Sequence, residues 1–124
     1  MAGQPISITR GSTTISSTAT ETIKQSSKEA IDLQGLSGLR FDFALRAYFI
    51  SGTSADATVK ITTAMFNDDN PSNWKDLVTF TMVTASNITE VKSVDSEVLR
   101  YLRWEVELDG TNPSFSFELQ GMAW

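Results

Sequence analysis

Two long stretches in which apolar and polar residues alternate strictly are the feature that most constrains this chain. The apolar members of the first stretch are Leu39, Phe41, Phe43, Leu45, Ala47 and Phe49. In the second stretch, Leu102, Trp104, Val106 and Leu108 alternate with Tyr101, Arg103, Glu105 and Glu107. A period of two places successive side chains on opposite faces of a β-strand and does not match the 3.6-residue repeat of a helix. Both stretches are therefore predicted to be half-buried strands, over residues 39–50 and 99–108.

Shorter alternating stretches predict the remaining strands of the main body. They cover residues 57–66, 77–84, 89–94 and 114–119. Their inward residues are expected to be Val59, Ile61, Met65, Val78, Phe80, Met82, Phe115, Phe117 and Leu119. Glycines predict the turns: Gly35, Gly38 and Gly52 bracket the first long strand, and residues 109–113 are expected to form a five-residue hairpin loop.

The number of strands and the absence of helical patterns predict the fold class. Seven or eight short strands are expected, and no stretch forms a convincing amphipathic helix. A single sheet cannot cover its own apolar face, whereas two facing sheets cover each other. The chain of 124 residues is therefore predicted to be an all-β, antiparallel two-sheet sandwich of jelly-roll-like form. Its expected core residues are Phe41, Phe43, Leu45, Phe80, Leu102, Trp104, Val106, Phe115 and Phe117.

The N-terminal segment differs from the body in composition and in charge. Ser and Thr supply 12 of its first 27 residues, so it cannot build a core alone. Residues 1–28 carry a net charge of +2 and the other residues −7. We therefore expect an N-terminal arm over 1–28 and the sandwich over 29–124. The alternating stretches at residues 6–8 and 13–15 suit an edge strand or an extended arm, and Ile6 and Ile8 are candidate contacts to a neighbouring copy.

The absence of histidine and cysteine excludes several kinds of reaction chemistry. Disulfides, thiolate nucleophiles, Cys-ligated metal sites and catalytic groups that depend on histidine all need one of these residues. Glu105 and Glu107 lie about 6.6 Å apart along one strand, which overlaps the carboxylate spacing of inverting glycosidases. A solvated outer face, with Arg40 or Arg46 as a cross-strand partner, explains them better. We expect neither enzymatic activity nor a cofactor.

Net charge and hydropathy narrow the range of partners. The formal net charge is −5 and the basic residues are scattered, whereas nucleic-acid binding depends on clustered Lys and Arg. No stretch approaches the roughly 18 apolar residues of a membrane span, and the N-terminus does not resemble a secretory signal. We therefore expect no nucleic-acid partner, no membrane partner and no secretion by a signal peptide.

The most polar loop of the body is a candidate metal site. Asp68, Asp69 and Asn70 supply oxygen donors within a few residues, and calcium binds six to eight oxygens at flexible geometry. However, the spacing does not match an EF-hand loop. Asp, Asn, Pro and Ser are also the ordinary residues of turns, because their side chains bond to nearby backbone. Turn formation is therefore the favoured interpretation of this loop.

Four aromatic residues fall at positions expected to be exposed: Tyr48, Trp74, Tyr101 and Trp124. Large aromatic rings at such positions serve either to stack on a ligand such as a sugar or to anchor a subunit interface, where Tyr and Trp are enriched. Trp104, by contrast, lies on an inward face and is assigned to the core. The sequence leaves the two uses of the exposed aromatics open.

Three stretches give the chain a resemblance to a known group of proteins. They are Ile31-Asp32-Leu33-Gln34-Gly35-Leu36, Asn70-Pro71-Ser72-Asn73-Trp74, and Leu99-Arg100-Tyr101-Leu102-Arg103-Trp104 with the following Asp109-Gly110. Residues 31–124 resemble the small, jelly-roll-like β-sandwich structural and decoration proteins of tailed phages and prophages. The resemblance implies a virion protein without catalytic residues, most specifically a capsid decoration (cement) protein that is assembled in the host cytoplasm. It also implies a homo-oligomer, a trimer in particular, that binds the major capsid protein or another virion protein.

Two other functions fit the same fold. A carbohydrate-binding module would use the exposed aromatics, and a host-recognition module would carry its site on the loops. The Arg-Tyr-x-Arg pattern at residues 100–103 also occurs in discoidin-like and other ligand-binding sandwiches, so it does not decide between these functions.

Overall fold

The computed structural model describes residues 3–36, 40–94 and 97–124 and confirms an all-β, antiparallel fold. Within these ranges there are eight strands: β1 (Gln4–Ser7), β2 (Thr13–Ser16), β3 (Glu21–Lys24), β4 (Ile31–Asp32), β5 (Phe41–Ala64), β6 (Lys75–Thr79), β7 (Ile88–Val94) and β8 (Tyr101–Ala123). Short 3-10 turns occur at Ser27–Glu29, Gln34–Leu36 and Pro71–Asn73. No helix in the described part of the chain is long and apolar enough to cross a bilayer. Gly38 and Leu39, placed by the sequence at the start of the first long strand, lie outside the described residues.

Two very long strands form the centre of the fold. β5 and β8 run antiparallel along their whole length, from Phe41 opposite Ala123 to Ala64 opposite Tyr101. Their pairing register shifts three times between Ala47 and Asp56. These irregularities mark a bend that divides each strand into two halves. The four separate strands predicted for these regions are therefore halves of two continuous ones.

The bend divides one continuous sheet into the two layers of a sandwich. Layer one contains residues 41–50 of β5 and 114–123 of β8, with β7 beside β5 and with β1 and β2 beside β8. Layer two contains residues 56–64 of β5 and 101–109 of β8. Here β6 lies beside β5, and β3 and β4 lie beside β8.

The core lies between the layers and follows the alternation of the sequence. All nine residues assigned to the core by their periodicity are buried, the most exposed being Trp104 at 7%. Trp104 of layer two contacts Phe117 of layer one, so the two halves of β8 face each other across the core.

Residues 109–113, expected to form a hairpin loop, instead continue β8 through the bend. Gly110 has a φ of +120°, and a Cβ there would lie 2.8 Å from the carbonyl oxygen of Thr53. Gly52, expected to end the first long strand, occupies the equivalent place in β5 with a φ of +123°. Both predictions were wrong because glycine at positive φ serves a β-bulge as well as a turn.

Three residues predicted to face inward are exposed. The register shift between Ala47 and Phe49 leaves Phe49 43% exposed. Met65 lies beyond the end of β5, and it is 56% exposed. Met82 is 51% exposed because β6 ends at Thr79, and Val83 takes the inward place instead through an isolated bridge to Ala57.

The N-terminal residues are part of the sandwich and do not form a separate arm. β1, β2 and β3 all pair with β8. Ile6 and Ile8, proposed as contacts to another copy, are buried in the chain's own core. The buried side chain of Gln25 joins this segment to the body: its Nε2 donates to the carbonyl of Ile8 (3.1 Å), and its Oε1 accepts from the backbone N–H of Trp104 (3.2 Å).

Candidate binding surfaces

The outward-facing side chains of layer one form a broad surface, here called outer face one. The pairing register aligns Arg46 of β5 with Thr89 of β7 and Glu118 of β8, so these residues form a row across three strands. Its members are Asp42, Ala44, Arg46, Tyr48, Thr89, Val91, Ser93, Glu118, Gln120 and Met122, with Trp124 at the end of β8.

Tyr48 is held in place at one end of outer face one. Its hydroxyl donates to Oε1 of Glu118 over 2.8 Å, and this contact raises the pKa of Tyr48. The guanidinium of Arg46 lies 5.6 Å from the centre of the tyrosine ring and donates to Oγ1 of Thr89 over 2.9 Å. Tyr48 therefore stays protonated and oriented, although 38% of it is exposed.

Trp124 is held in the same manner at the other end. Its indole N–H donates to Oδ2 of Asp42 over 2.8 Å, and its backbone N–H donates to the carbonyl of Arg40 over 2.9 Å. The hydroxyl of Ser93 donates to Oδ1 of Asp42 over 2.5 Å. The hydrogen bond from Ser93, followed by that from the Trp124 indole, lowers the pKa of Asp42. Trp124 is 45% exposed, so an oriented ring is presented to solvent.

The two aromatic ends frame a surface of considerable length. Six residue steps along β5 separate Asp42, which holds Trp124, from Tyr48, and this corresponds to about 20 Å. Val91 lies between them and is 64% exposed. Because both rings are already ordered by hydrogen bonds, binding through this surface would lose little side-chain entropy.

Trp74 lies on the opposite side of the molecule and covers an arginine. Arg103 points away from the core, as predicted, yet it is only 3% exposed. The centre of the Trp74 ring lies 4.2 Å from the guanidinium carbon of Arg103. Oδ1 of Asp69 lies 3.2 Å from Nη1 of the same arginine. The indole N–H of Trp74 donates to the carbonyl of Asp68 over 2.7 Å. This aromatic ring is therefore engaged in fixing a loop.

Tyr101 is also engaged within the chain. The guanidinium of Arg100 lies 5.1 Å from its ring centre. Arg100 in turn donates to both carboxylate oxygens of Asp32, each over 3.0 Å. The pKa of Asp32 is lowered chiefly by Arg100. Of the four aromatic candidates, Tyr48 and Trp124 thus share a face, whereas Trp74 and Tyr101 lie on layer two.

The calcium candidates use their oxygens for turn formation. Oδ1 of Asp68 accepts from the backbone N–H of Asn70 (3.0 Å), and Oδ1 of Asn70 accepts from that of Ser72 (3.1 Å). Oδ1 of Asp69 is paired with Arg103. Across residues 3–36, 40–94 and 97–124, no three His, Cys, Asp or Glu side chains come together to hold a metal ion. In this structure the side-chain oxygens of the loop serve turn formation and the ion pair with Arg103.

Glu105 is ion-paired on the outer side of layer two. Its carboxylate lies 2.9 Å from Nζ of Lys60 and 3.6 Å from Nζ of Lys24. The contact with Glu105 is the main cause of a raised pKa of Lys60. The prediction that Arg40 or Arg46 pairs with Glu105 was wrong, because both arginines precede the bend of β5 and belong to layer one.

Sequence reasoning missed the residues that orient the exposed aromatics, namely Asp42, Arg46, Ser93 and Glu118. The alternation places Asp42 and Arg46 on the same face as Tyr48, which was an available signal. Glu118 and Ser93 lie on other strands, so only the long-range register shows that they reach this face.

The chain is similar to known proteins in structure and not in sequence. No protein-family model and no curated protein sequence matches the chain. The PBSX exported protein XepA matches with a TM-score of 0.57 and 18% identity, over 97% of this chain and 36% of that one. The VP2 subviral particle of infectious bursal disease virus matches with a TM-score of 0.55 and 12% identity, over 98% of this chain and 32% of that one. PirA matches with a TM-score of 0.51 and 9% identity, over 91% and 93%.

The chain shares its fold with part of XepA and with part of VP2. TM-scores above 0.5 indicate a common β-sandwich fold, whereas identities this low do not establish a common activity. The chain spans about a third of the length of XepA and of VP2, so it corresponds to one part of each.

Proposed function

We propose that the chain is a non-enzymatic structural protein of a phage virion, most specifically a decoration protein that binds the outside of the head. The observation that carries this proposal is the fixing of Tyr48 and Trp124 on one face by two carboxylates, those of Glu118 and Asp42. The shared fold of XepA and VP2 supports a virion setting. The proposed partner is the major capsid protein or another virion protein.

Outer face one has the properties that docking to a protein shell requires. Tyr and Trp each offer an apolar ring and a polar tip, and both are enriched where proteins meet. On this face the polar tips are bound within the chain, so the rings are presented in one orientation. Arg46 beside Tyr48 adds a cation that can pair with a carboxylate of the partner.

A co-sedimentation experiment tests this proposal. Particles of the phage whose genome encodes the chain are prepared with its gene deleted, and the purified protein is added back. The protein should pellet with the particles, and Tyr48→Ala or Trp124→Ala should weaken this binding at least about tenfold, since large aromatics dominate interface energetics. Tyr101→Ala is the matched control, because Tyr101 lies on layer two. Absence of pelleting, or equal loss in all three variants, would contradict the proposal.

A carbohydrate-binding function would require a different arrangement of the exposed aromatic rings. A stacking site uses rings on adjacent subsites, whereas Tyr48 and Trp124 stand at opposite ends of a surface about 20 Å long. Trp74, the loop tryptophan best suited to stacking by its position in the sequence, covers Arg103. A glycan array that detects binding lost in both Tyr48→Ala and Trp124→Ala would favour the carbohydrate function over docking.

A further inference from the structure

β7 lies at one edge of layer one, and its other side is a free edge. Among the residues that the structure describes, it pairs with β5 alone. Its seven residues include neither glycine nor proline, and four of them are β-branched. Val91 at its centre is 64% exposed. An edge strand of this length presents unpaired N–H and C=O groups that can accept another strand.

The sequence of β7 is complementary to itself when read in opposite directions. We propose that β7 pairs antiparallel with β7 of a second copy, about a two-fold axis through Val91. This register places Glu90 opposite Lys92 of the other copy, and by symmetry Lys92 opposite its Glu90. The same register sets Thr89 opposite Ser93 and Ile88 opposite Val94. Opposite charges and matching side chains directly across an antiparallel pair are the combinations that stabilise such pairs.

Charge complementarity indicates that the strand pairing with the free edge of β7 is β7 of a second copy. Charged side chains that point inward from an edge strand usually discourage pairing with another strand. Lys92 and Glu90 are such residues, since the register places them on the same side as Phe43 and Leu45. Their charges repel a strand with a charge of the same sign at the opposing position. In the two-fold register, by contrast, Glu90 of each copy faces the oppositely charged Lys92 of the other copy.

Both side chains lie where they can reach a partner. Oε1 of Glu90 accepts from the backbone N–H of Thr81 over 2.9 Å, and Nζ of Lys92 lies 3.9 Å from the same oxygen. The Lys92 side chain is 41% exposed and that of Glu90 is 25% exposed. Both side chains are therefore partly exposed on the strand that carries the free edge.

This pairing would join the two copies of layer one into one continuous sheet and place two copies of outer face one side by side. It yields a two-fold dimer, in contrast to the trimer that the phage resemblance implies. The inference is independent of docking to a capsid, because it concerns the purified protein alone.

Light scattering after size-exclusion chromatography tests the dimer in the absence of particles. The wild-type protein should have twice the 13.6 kDa mass of the chain at high concentration and dissociate on dilution. Lys92→Glu should weaken association at least about tenfold, since it sets like charges opposite each other. Lys28→Glu is the matched control: it changes the net charge equally, and Lys28 is exposed in the Ser27–Glu29 turn. A wild-type monomer, a trimer, or equal effects of both variants would overturn the proposal.

A mixing experiment separates complementarity from damage to the fold. Glu90→Lys alone and Lys92→Glu alone should each be monomeric, whereas their equimolar mixture should form a heterodimer, because Lys then meets Glu in both pairs. Circular dichroism checks that each variant is folded. Val91→Lys, at an exposed position that the fold does not need, should also give a monomer. A dimer of Val91→Lys, or no association in a mixture of folded variants, would refute the two-fold register.

Discussion

Trp104 stands edge-on against Phe117 of the same strand, with ring centres 5.3 Å apart and ring planes at 89°. The two residues are far apart in a straight strand, since thirteen steps correspond to about 43 Å. Their contact is possible because β8 bends between them and returns over its own inner face. The pair therefore joins the two layers across the core.

Removal of either ring should destabilise the whole sandwich. Trp104→Ala or Phe117→Ala is expected to lower the free energy of unfolding by about 3–5 kcal/mol, the usual cost of truncating a buried aromatic residue. The double variant should lose less than the sum of the single losses, by about 0.5–1.5 kcal/mol, because an edge-to-face pair contributes beyond its buried area. Urea unfolding followed by circular dichroism measures all four proteins. Strict additivity would show that the rings are not coupled.

The inward residues were predictable because alternation is a local property. Phe43 and Trp104 each lie in a stretch where period two determines the face, whatever the strand pairs with. The continuity of β8 was not predictable, since Asp109, Gly110 and Asn112 have the composition of a turn and of a bulge alike. What separates the two cases is pairing with β5, a contact distant in sequence.

Outer face one was predicted only in part, because its assembly also depends on contacts distant in sequence. Tyr48 and Trp124 were each identified as exposed aromatics, but their common face depends on the register between β5 and β8. Ile6 and Ile8 were assigned to a contact with another copy because their Ser- and Thr-rich surroundings suggested no core. The edge of β8 provides the partner that the segment lacks by itself.

The bend at Gly110 should not tolerate a side chain. A Cβ there would meet the carbonyl oxygens of Thr53 and Ser54 and Cα of Ala55 at 2.8–3.1 Å, and φ is +120°. Gly110→Ala is therefore expected to cost about 1–3 kcal/mol of stability, the range for a strained backbone conformation. Gly35→Ala is the matched control, because a Cβ at Gly35 has no atom within 4 Å. Thermal unfolding of both variants checks this, and equal melting temperatures would contradict it.

Asp69 should matter more than its exposure suggests. Its side chain is 74% exposed, but it pairs with Arg103, whose side chain is 4% exposed. Asp69→Ala leaves a buried guanidinium without its carboxylate and should cost about 1–2 kcal/mol, less than a fully buried pair because solvent reaches the aspartate. Asp69→Asn should recover part of the loss by keeping an acceptor. Glu29→Ala, at an exposed site, should change stability by less than about 0.5 kcal/mol in urea unfolding. Equal effects of Asp69→Ala and Glu29→Ala would contradict the role of the pair.

Asp56 should make the protein less stable as the pH rises. It lies opposite Asp109 at the bend, and its Oδ1 is buried with no hydrogen-bond partner among the described residues. Burial raises the pKa of Asp56, and the neighbouring carboxyls of Asp109 and Glu107 raise it further. The folded state therefore binds more protons than the unfolded state between the normal and the raised pKa. Stability falls as the pH increases through that interval.

Asparagine at this position imitates the protonated acid, so Asp56→Asn should raise the melting temperature at pH 7 and have little effect below about pH 3, where the aspartate is protonated in both states. Asp32→Asn is a control of opposite sign. Arg100 lowers the pKa of Asp32, so its stabilising contribution exists above the normal pKa of an aspartate and disappears as the pH falls through the lowered value. Asp32→Asn should therefore reduce the melting temperature at pH 7 and lose this effect in acid. Melting curves of both variants between pH 3 and 8 should thus deviate from the wild type in opposite directions, and parallel deviations would show that burial of Asp56 does not govern its titration.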